Sequence, residues 1–257
     1  MTSRAPDVVV LPSVAALMEA AAERLVSRAA AAIGASGRFT VALSGGSTPK
    51  ALYELLATPR YAPRIDWSRV HVFWGDERCV PPVDPASNYR MTREALLDRV
   101  AVLPSNVHRI RGEDPPSAAA AAYEEDLRRV MSTPAGPPRE VAGACIDLVL
   151  LGMGDNGHTA SLFPGLTAVQ ERERWVVAEY VAEVAMWRVT LTPPVINAAA
   201  DVVFLVSGAG KAAMLQRVLE GPRQPVALPA QAIVPSRGAT WLVDVAAAAD
   251  LREPTRR

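Results

Sequence analysis

Leu150-Leu151-Gly152-Met153-Gly154-Asp155-Asn156-Gly157-His158-Thr159-Ala160-Ser161-Leu162-Phe163-Pro164 is the stretch around which this chain is organised. The largely apolar run 146–151 that feeds it is short and closed by glycine, the pattern of a strand buried in a parallel sheet. Glycines at 152, 154 and 157 let the backbone take φ > 0 and approach a ligand without a Cβ in the way. A histidine stands at the far end of the loop, where a new helix is expected to begin. Ligands of open α/β sheets bind just beyond the carboxyl ends of the strands. An imidazole delivered there is a candidate general base. The plainer alternative is a glycine turn beside a satisfied histidine; the Gly-rich setting after a strand favours function.

The same order of strand, glycine turn and helix start recurs outward in both directions. Residues 39–43 form a strand that runs into Ser44-Gly45-Gly46-Ser47-Thr48-Pro49-Lys50, followed by a helix over 51–56. Pro49 fits the first helical position, with Ser47 or Thr48 as its cap. Free backbone N–H groups and the helix dipole suit such a corner to an anion, and a tight connection with a good cap is the equal alternative on local grounds. It is not a Walker loop, because the G-x-x-x-x-G-K spacing is absent. Further on, the strand 202–206 runs into Ser207-Gly208-Ala209-Gly210-Lys211. A lysine in a first helical turn opposes the dipole unless an anion neutralises both; an exposed lysine at a turn is the equal alternative on local grounds.

The strand 70–74 ends in Gly75-Asp76-Glu77-Arg78-Cys79-Val80-Pro81-Pro82. Three charges at the end of an apolar strand, stiffened by prolines, point to a site rather than a solvated turn. A helix is expected from 87 to about 100. His71 alternates inside a strand and reads as structural, and His108 sits in a turn without an obvious partner. A first strand at 8–11, a Ser13-capped helix to about Ile33 broken by Gly34–Gly37, and a helix over 118–130 complete the first half. The Pro-rich segment 132–143 is a surface connector. Strands are expected at 175–179, 187–191 and 239–243, a short helix at 194–200, a loop near the core at 228–231, a closing helix at 246–251 and a frayed tail.

Composition bounds the function. The 257 residues carry 27 basic and 27 acidic side chains, so charge gives no case for nucleic acid or an anionic membrane. Half the chain is hydrophobic, as in a globular protein, without an apolar run of membrane-spanning length. Two cysteines argue against a disulfide scaffold and fit a reducing compartment. The N-terminus lacks the layout of a signal peptide. A cytoplasmic location, one domain over 1–257 and a monomer are the expectations.

Strands alternate with helices throughout, which predicts a doubly wound, mostly parallel α/β sheet with helices on both faces. The corners 44–48, 75–78, 152–158 and 207–211 then meet at one edge. Together they offer backbone donors, a carboxylate, arginine, lysine and histidine. That inventory suits a small anionic substrate, most simply a phosphate ester, with water activated by His158. No His/Cys/carboxylate cluster has metal spacing, so no metal is expected. The absence of a dinucleotide fingerprint implies no such cofactor, and the missing Gly-x-Ser-x-Gly elbow argues against a serine acyl-enzyme.

Taken as an ordered set, Ser44 to Pro49, Trp74 to Pro81 with Ser87-Asn88-Tyr89, and Gly152 to Gly165 resemble the 6-phosphogluconolactonase family. Residues 188–192 and 208–211 look similar to its later motifs. The resemblance runs from the first strand to about Leu242. It implies the fold shared with glucosamine-6-phosphate deaminase and ribose-5-phosphate isomerase, and metal-free hydrolysis of 6-phosphogluconolactone in the pentose phosphate pathway. Carried over by position, His158 is the base. Arg78 and Lys211, with Arg188, hold the phosphate, and Asp76 orients a sugar hydroxyl or the imidazole. Gly45, Gly46 and Ser47 donate backbone N–H groups to substrate oxygens.

Two rivals share the fold. An amino-sugar phosphate deaminase resembling this chain uses an acid before the Gly-His pair, a glutamate after it and a tyrosine after Asp-Glu. Here Asn156, Phe163 and Arg78 stand at those places, and neither amide nor phenyl can relay protons. The lactonase family often has aspartate at 156 too, so Asn156 weakens a catalytic role for that position. A sugar-phosphate-sensing regulator would add a helix-turn-helix ahead of the sensor. The first strand near residue 8 is expected to leave no room for one.

Overall fold

A computed structural model describes residues 6–132 and 146–255. In chain order the main elements are β1 (Asp7–Leu11), α1 (Val14–Ser36), β2 (Phe39–Leu43), α2 (Ser47–Leu56), β3 (Val70–Trp74) and β4 (Asp76–Arg78). Then come α3 (Asn88–Ala95), α4 (Pro116–Ser132), β5 (Leu148–Leu151), β6 (Val176–Val181) and β7 (Met186–Leu191). The chain closes with α5 (Pro193–Asn197), β8 (Val202–Val206), α6 (Ala212–Glu220) and β9 (Thr240–Asp244).

Six strands form a sheet in the order β1-β9-β8-β5-β2-β3, every pair parallel. Its inner strands β2, β5, β8 and β9 are buried at every position. This is why 39–43 and 202–206 read as continuous apolar runs. From β2 the chain steps outward to β3 and later returns to the other side of β2 at β5. The topological switch point therefore lies between β2 and β5, where the loops at 44–46 and 152–158 leave the sheet on diverging paths and open a crevice.

The expected doubly wound sheet is present, with an addition that the strand–helix alternation concealed. β4, β7 and β6 make a second, antiparallel sheet. The residues Asp76-Glu77-Arg78 are a strand, not a loop. Gly75 stitches the two sheets: its N–H reaches the Leu43 carbonyl at 2.8 Å and its carbonyl accepts from Leu191 N–H at 2.8 Å. One continuous apolar cluster draws on both sheets. On its helix side, α1 buries Leu17, Ala21, Ala22, Leu25 and Ala29, a stripe at helical spacing. Arg24 and Arg28 both grip Asp201 at the start of β8, at 2.8 and 2.7 Å.

Several boundaries differ from expectation for local reasons. α1 runs through Gly34 to Ser36 and stops at Gly37, whose φ of 74° suits a glycine C-cap. α2 starts at Ser47 with Gly46 as its N-cap, so Pro49 lies inside the first turn and no side chain caps it. α3 ends at Ala95, and the predicted helix continues only as a 3-10 turn over Leu97–Arg99. Residues 246–251 form turns rather than the expected helix: Asp244 Oδ1 accepts from Ala247 N–H and Gly208 N–H and holds the chain in a turn there. The connector at 132–143 lies outside the described residues from 133 onward. Among the described residues no helix is long and apolar enough to cross a membrane.

Candidate active site

At the switch point a cavity of about 350 Å³ opens between the two sheets. Its walls come from the loop after β2 (Ser44, Gly45, Gly46), from β4 and α3 (Asp76, Arg78, Asn88), from the loop after β5 (152–156, 158–160 and Phe163), and from the β6–β7 hairpin (Glu183, Val184, Arg188). The volume falls within the range of small-ligand pockets, about 300–1,000 Å³.

The loop after β5 is shaped by turns, not by a helix. Gly154 N–H bonds the His158 carbonyl at 2.8 Å and Gly157 N–H bonds the Gly154 carbonyl at 3.0 Å. These short-range bonds close the loop on itself, so the expected helix at 158 does not form; the next helical turn is Thr167–Gln170. Of its glycines, Gly157 takes the left-handed φ of 79°. Gly154 is needed for space: a Cβ there would lie 2.0 Å from His158 Cε1.

Two neighbours fix the His158 ring. Phe163 stacks flat on it at a centroid distance of 4.1 Å. Asn156 Oδ1 sits 2.6 Å from its Nδ1 and also accepts the His158 backbone N–H at 3.1 Å. The ring is half-buried in the cavity wall. Burial pushes its pKa below the ordinary histidine range; the Asp76 carboxylate opposes this, and Lys211 and Arg188 add to it. Burial therefore favours the neutral form of the imidazole.

The short strand β4 alternates in the ordinary way, with consequences for chemistry. Asp76 and Arg78 line the cavity. Glu77 points the other way and caps α3, accepting from Asn88 N–H, Tyr89 N–H and Ser87 Oγ at 2.7, 2.8 and 3.0 Å. Asp76 is buried and accepts from Ser161 Oγ at 2.6 Å and Asn88 Nδ2 at 3.3 Å. Arg188 NH1 is 3.9 Å from it. Opposite Arg78, across the β4–β7 ladder, stands Arg188. Both guanidinium groups bury an Nε that has no hydrogen-bond partner. Desolvation lowers the Arg188 pKa, Asp76 opposes the shift and Arg78 reinforces it.

The other predicted residues sit at the rim. Gly45 and Gly46 line the cavity, and the buried Ser44 Oγ beside them has no partner. Ser47 is exposed on the first turn of α2, outside the lining. Lys211 ends a 3-10 turn, Ala209–Lys211, and pairs with Asp155, which does line the cavity. That pairing holds the Asp155 carboxyl below its usual range. Three of the four predicted corners thus meet at the cavity, and the fourth reaches it through one ion pair. The imidazole is met by Asn156 rather than by Asp76. Asn156, Asn88 and Glu183 were missed as site residues. Asn88 had a signal in its place right after the charged strand; Glu183 had none.

Residues 12–242 match the family described as glucosamine-6-phosphate isomerases/6-phosphogluconolactonase. A 6-phosphogluconolactonase from Nostoc sp. is 42% identical over 243 residues, covering 94% of this chain and 97% of its own length. The structure of 6-phosphogluconolactonase from Trypanosoma cruzi is similar with a TM-score of 0.83 at 30% identity, covering 98% of this chain and 99% of that one. A monomeric glucosamine-6-phosphate deaminase reaches a TM-score of 0.80 at 21% identity, covering 95% and 99%, a likeness of fold. This chain belongs to the glucosamine-6-phosphate isomerase/6-phosphogluconolactonase family.

Proposed function

We propose that this chain hydrolyses 6-phospho-D-glucono-1,5-lactone to 6-phospho-D-gluconate, the lactone-opening step of the oxidative pentose phosphate pathway. The observation that carries the site assignment is the pairing of Arg78 directly opposite Arg188 in the wall that also holds His158. Like charges facing each other across a ladder are destabilising, and a bound anion reverses the sign. A phosphate offers acceptors to both forks. Lys211 supplies a third cation by exchanging Asp155 for the phosphate. Gly45 and Gly46, which line the cavity, offer backbone N–H groups to substrate oxygens.

With the phosphate held, His158 Nε2 removes a proton from water. The resulting hydroxide adds to the lactone carbonyl carbon and gives a tetrahedral oxyanion. Collapse breaks the ring C–O bond, and the departing alkoxide takes the proton from the imidazolium. Asp76, already engaged by Ser161 and Asn88, is oriented to accept from a sugar hydroxyl. Phe163 covers the imidazole with a face that carries no ionisable group, which disfavours the proton relay of a deaminase. The even balance of 27 basic and 27 acidic side chains supports a small-molecule substrate rather than a nucleic-acid partner.

A coupled assay on freshly made lactone, run beside glucosamine 6-phosphate, tests this reading. Turnover of the lactone above its spontaneous hydrolysis, without ammonia release from the amino sugar, is expected. Ammonia release with no lactone acceleration would overturn it.

A further inference from the structure

Glu183 lies 27 residues beyond Asn156 in sequence, at the tip of the β6–β7 hairpin in the 3-10 turn Ala182–Val184. Its Oε2 accepts from Asn156 Nδ2 at 3.0 Å. A carboxylate can only accept, so the amide must turn its NH2 toward Glu183. From the other side the backbone N–H of His158 can only donate, so the amide oxygen must face it, at 3.1 Å. Two one-way partners thus fix the flip of the Asn156 side chain. Its oxygen then lies 2.6 Å from His158 Nδ1, an arrangement that is a hydrogen bond only if Nδ1 carries the proton. In a neutral imidazole the lone pair is then on Nε2.

We infer that Glu183 is a positioning residue, which locks the Asn156 amide and through it the His158 tautomer that leaves Nε2 free to act as a base. This rests on the proposed role of His158 as the base. An asparagine at 156 makes the device necessary. A carboxylate there would present an acceptor in either orientation, whereas a flipped amide presents NH2 to Nδ1 and selects the tautomer protonated on Nε2, which cannot take a proton from water.

The test compares Glu183→Ala, Glu183→Gln, Asn156→Asp and the double variant Asn156→Asp/Glu183→Ala with wild type and His158→Ala. Glu183→Ala is expected to lower kcat about 10- to 100-fold, the usual worth of a group that orients a working histidine, with KM changed less than about twofold. Glu183→Gln keeps an acceptor for the Asn156 NH2 and should restore most of kcat. The double variant should recover as well. Asn156→Asp should move the acid limb of kcat/KM to higher pH, since a carboxylate favours imidazolium. Ring 15N spectra of Glu183→Ala should show Nδ1 losing protonation in favour of Nε2, a readout independent of turnover. Wild-type kcat in Glu183→Ala, a Gln variant as impaired as Ala, or an unchanged tautomer overturns the inference while His158→Ala stays inactive. Full activity in His158→Ala would instead remove the base assignment itself.

Discussion

Two histidine environments in this molecule both depress an imidazole pKa and differ in what their nitrogens meet. In the β3–α4 layer, His108 Nδ1 donates to Asp126 at 2.7 Å, and its Nε2 meets His71 Nδ1 at 3.1 Å. Phe73 stacks on His108 at 4.4 Å. Both nitrogens of His108 are satisfied inside the protein. His158 has one nitrogen held by Asn156 and belongs to the cavity wall. Burial depresses the pKa of all three rings, His71 to about 4. A low pKa therefore does not mark the base; an unspent nitrogen facing a cavity does.

The largest effect should separate the two environments outright. His158→Ala is expected to lower kcat by about 10²–10⁴-fold, the contribution of a positioned base, with thermal stability almost unchanged. His108→Ala should leave kcat near wild type. If the two variants fell equally in kcat, the contrast would fail. Arg78→Ala and Arg188→Ala sharpen the cavity side: each removes a charged hydrogen-bond donor and should raise KM about 10- to 100-fold with a smaller change in kcat. Steady-state kinetics showing unchanged KM in both would take the arginines out of the phosphate site. Gly154→Ala drives a Cβ into the imidazole and should lower kcat by about tenfold without altering KM for the phosphate grip.

On the structural side the effects are smaller and fall on stability. His108→Ala leaves His71 and Asp126 each short of a buried partner and should cost about 1–3 kcal/mol in denaturant melts. The pH dependence follows from the same pair. His71 and His108 have folded pKa values below their unfolded value of 6.5. The unfolded chain therefore binds more protons in the window from about 6.5 down to about 4, and their stabilisation, present above it, is lost as pH falls through it. Melts of wild type and His71→Gln across that window should converge toward its acid end; parallel curves would show that the pair does not set the slope.

Much of the fold was legible because buried parallel strands write themselves as apolar runs: 39–43, 70–74 and 202–206 match their strands residue for residue. The corners were legible because glycine after such a run has few structural uses. What stayed hidden depends on contacts between distant residues. Asp76-Glu77-Arg78 carries no strand pattern, and only its ladder with β7 makes it one. His108 reads as a turn histidine until α4 brings Asp126 beside it. Asn156 looked like a loss of chemistry in sequence, because its value lies in Glu183, brought to it by a hairpin. The run 246–251 has helical composition, but Asp244 uses its carboxylate to hold turns there.

The most direct measurement follows the His158 ring nitrogens by 15N NMR over pH while kcat/KM is recorded on the same samples. A neutral ring protonated on Nδ1 at pH 7, one titration below the ordinary histidine range, and loss of kcat/KM centred on that titration are expected. A ring protonated on Nε2 at neutral pH, or a rate that falls at a pH where His158 does not titrate, would contradict the role of His158 as the base.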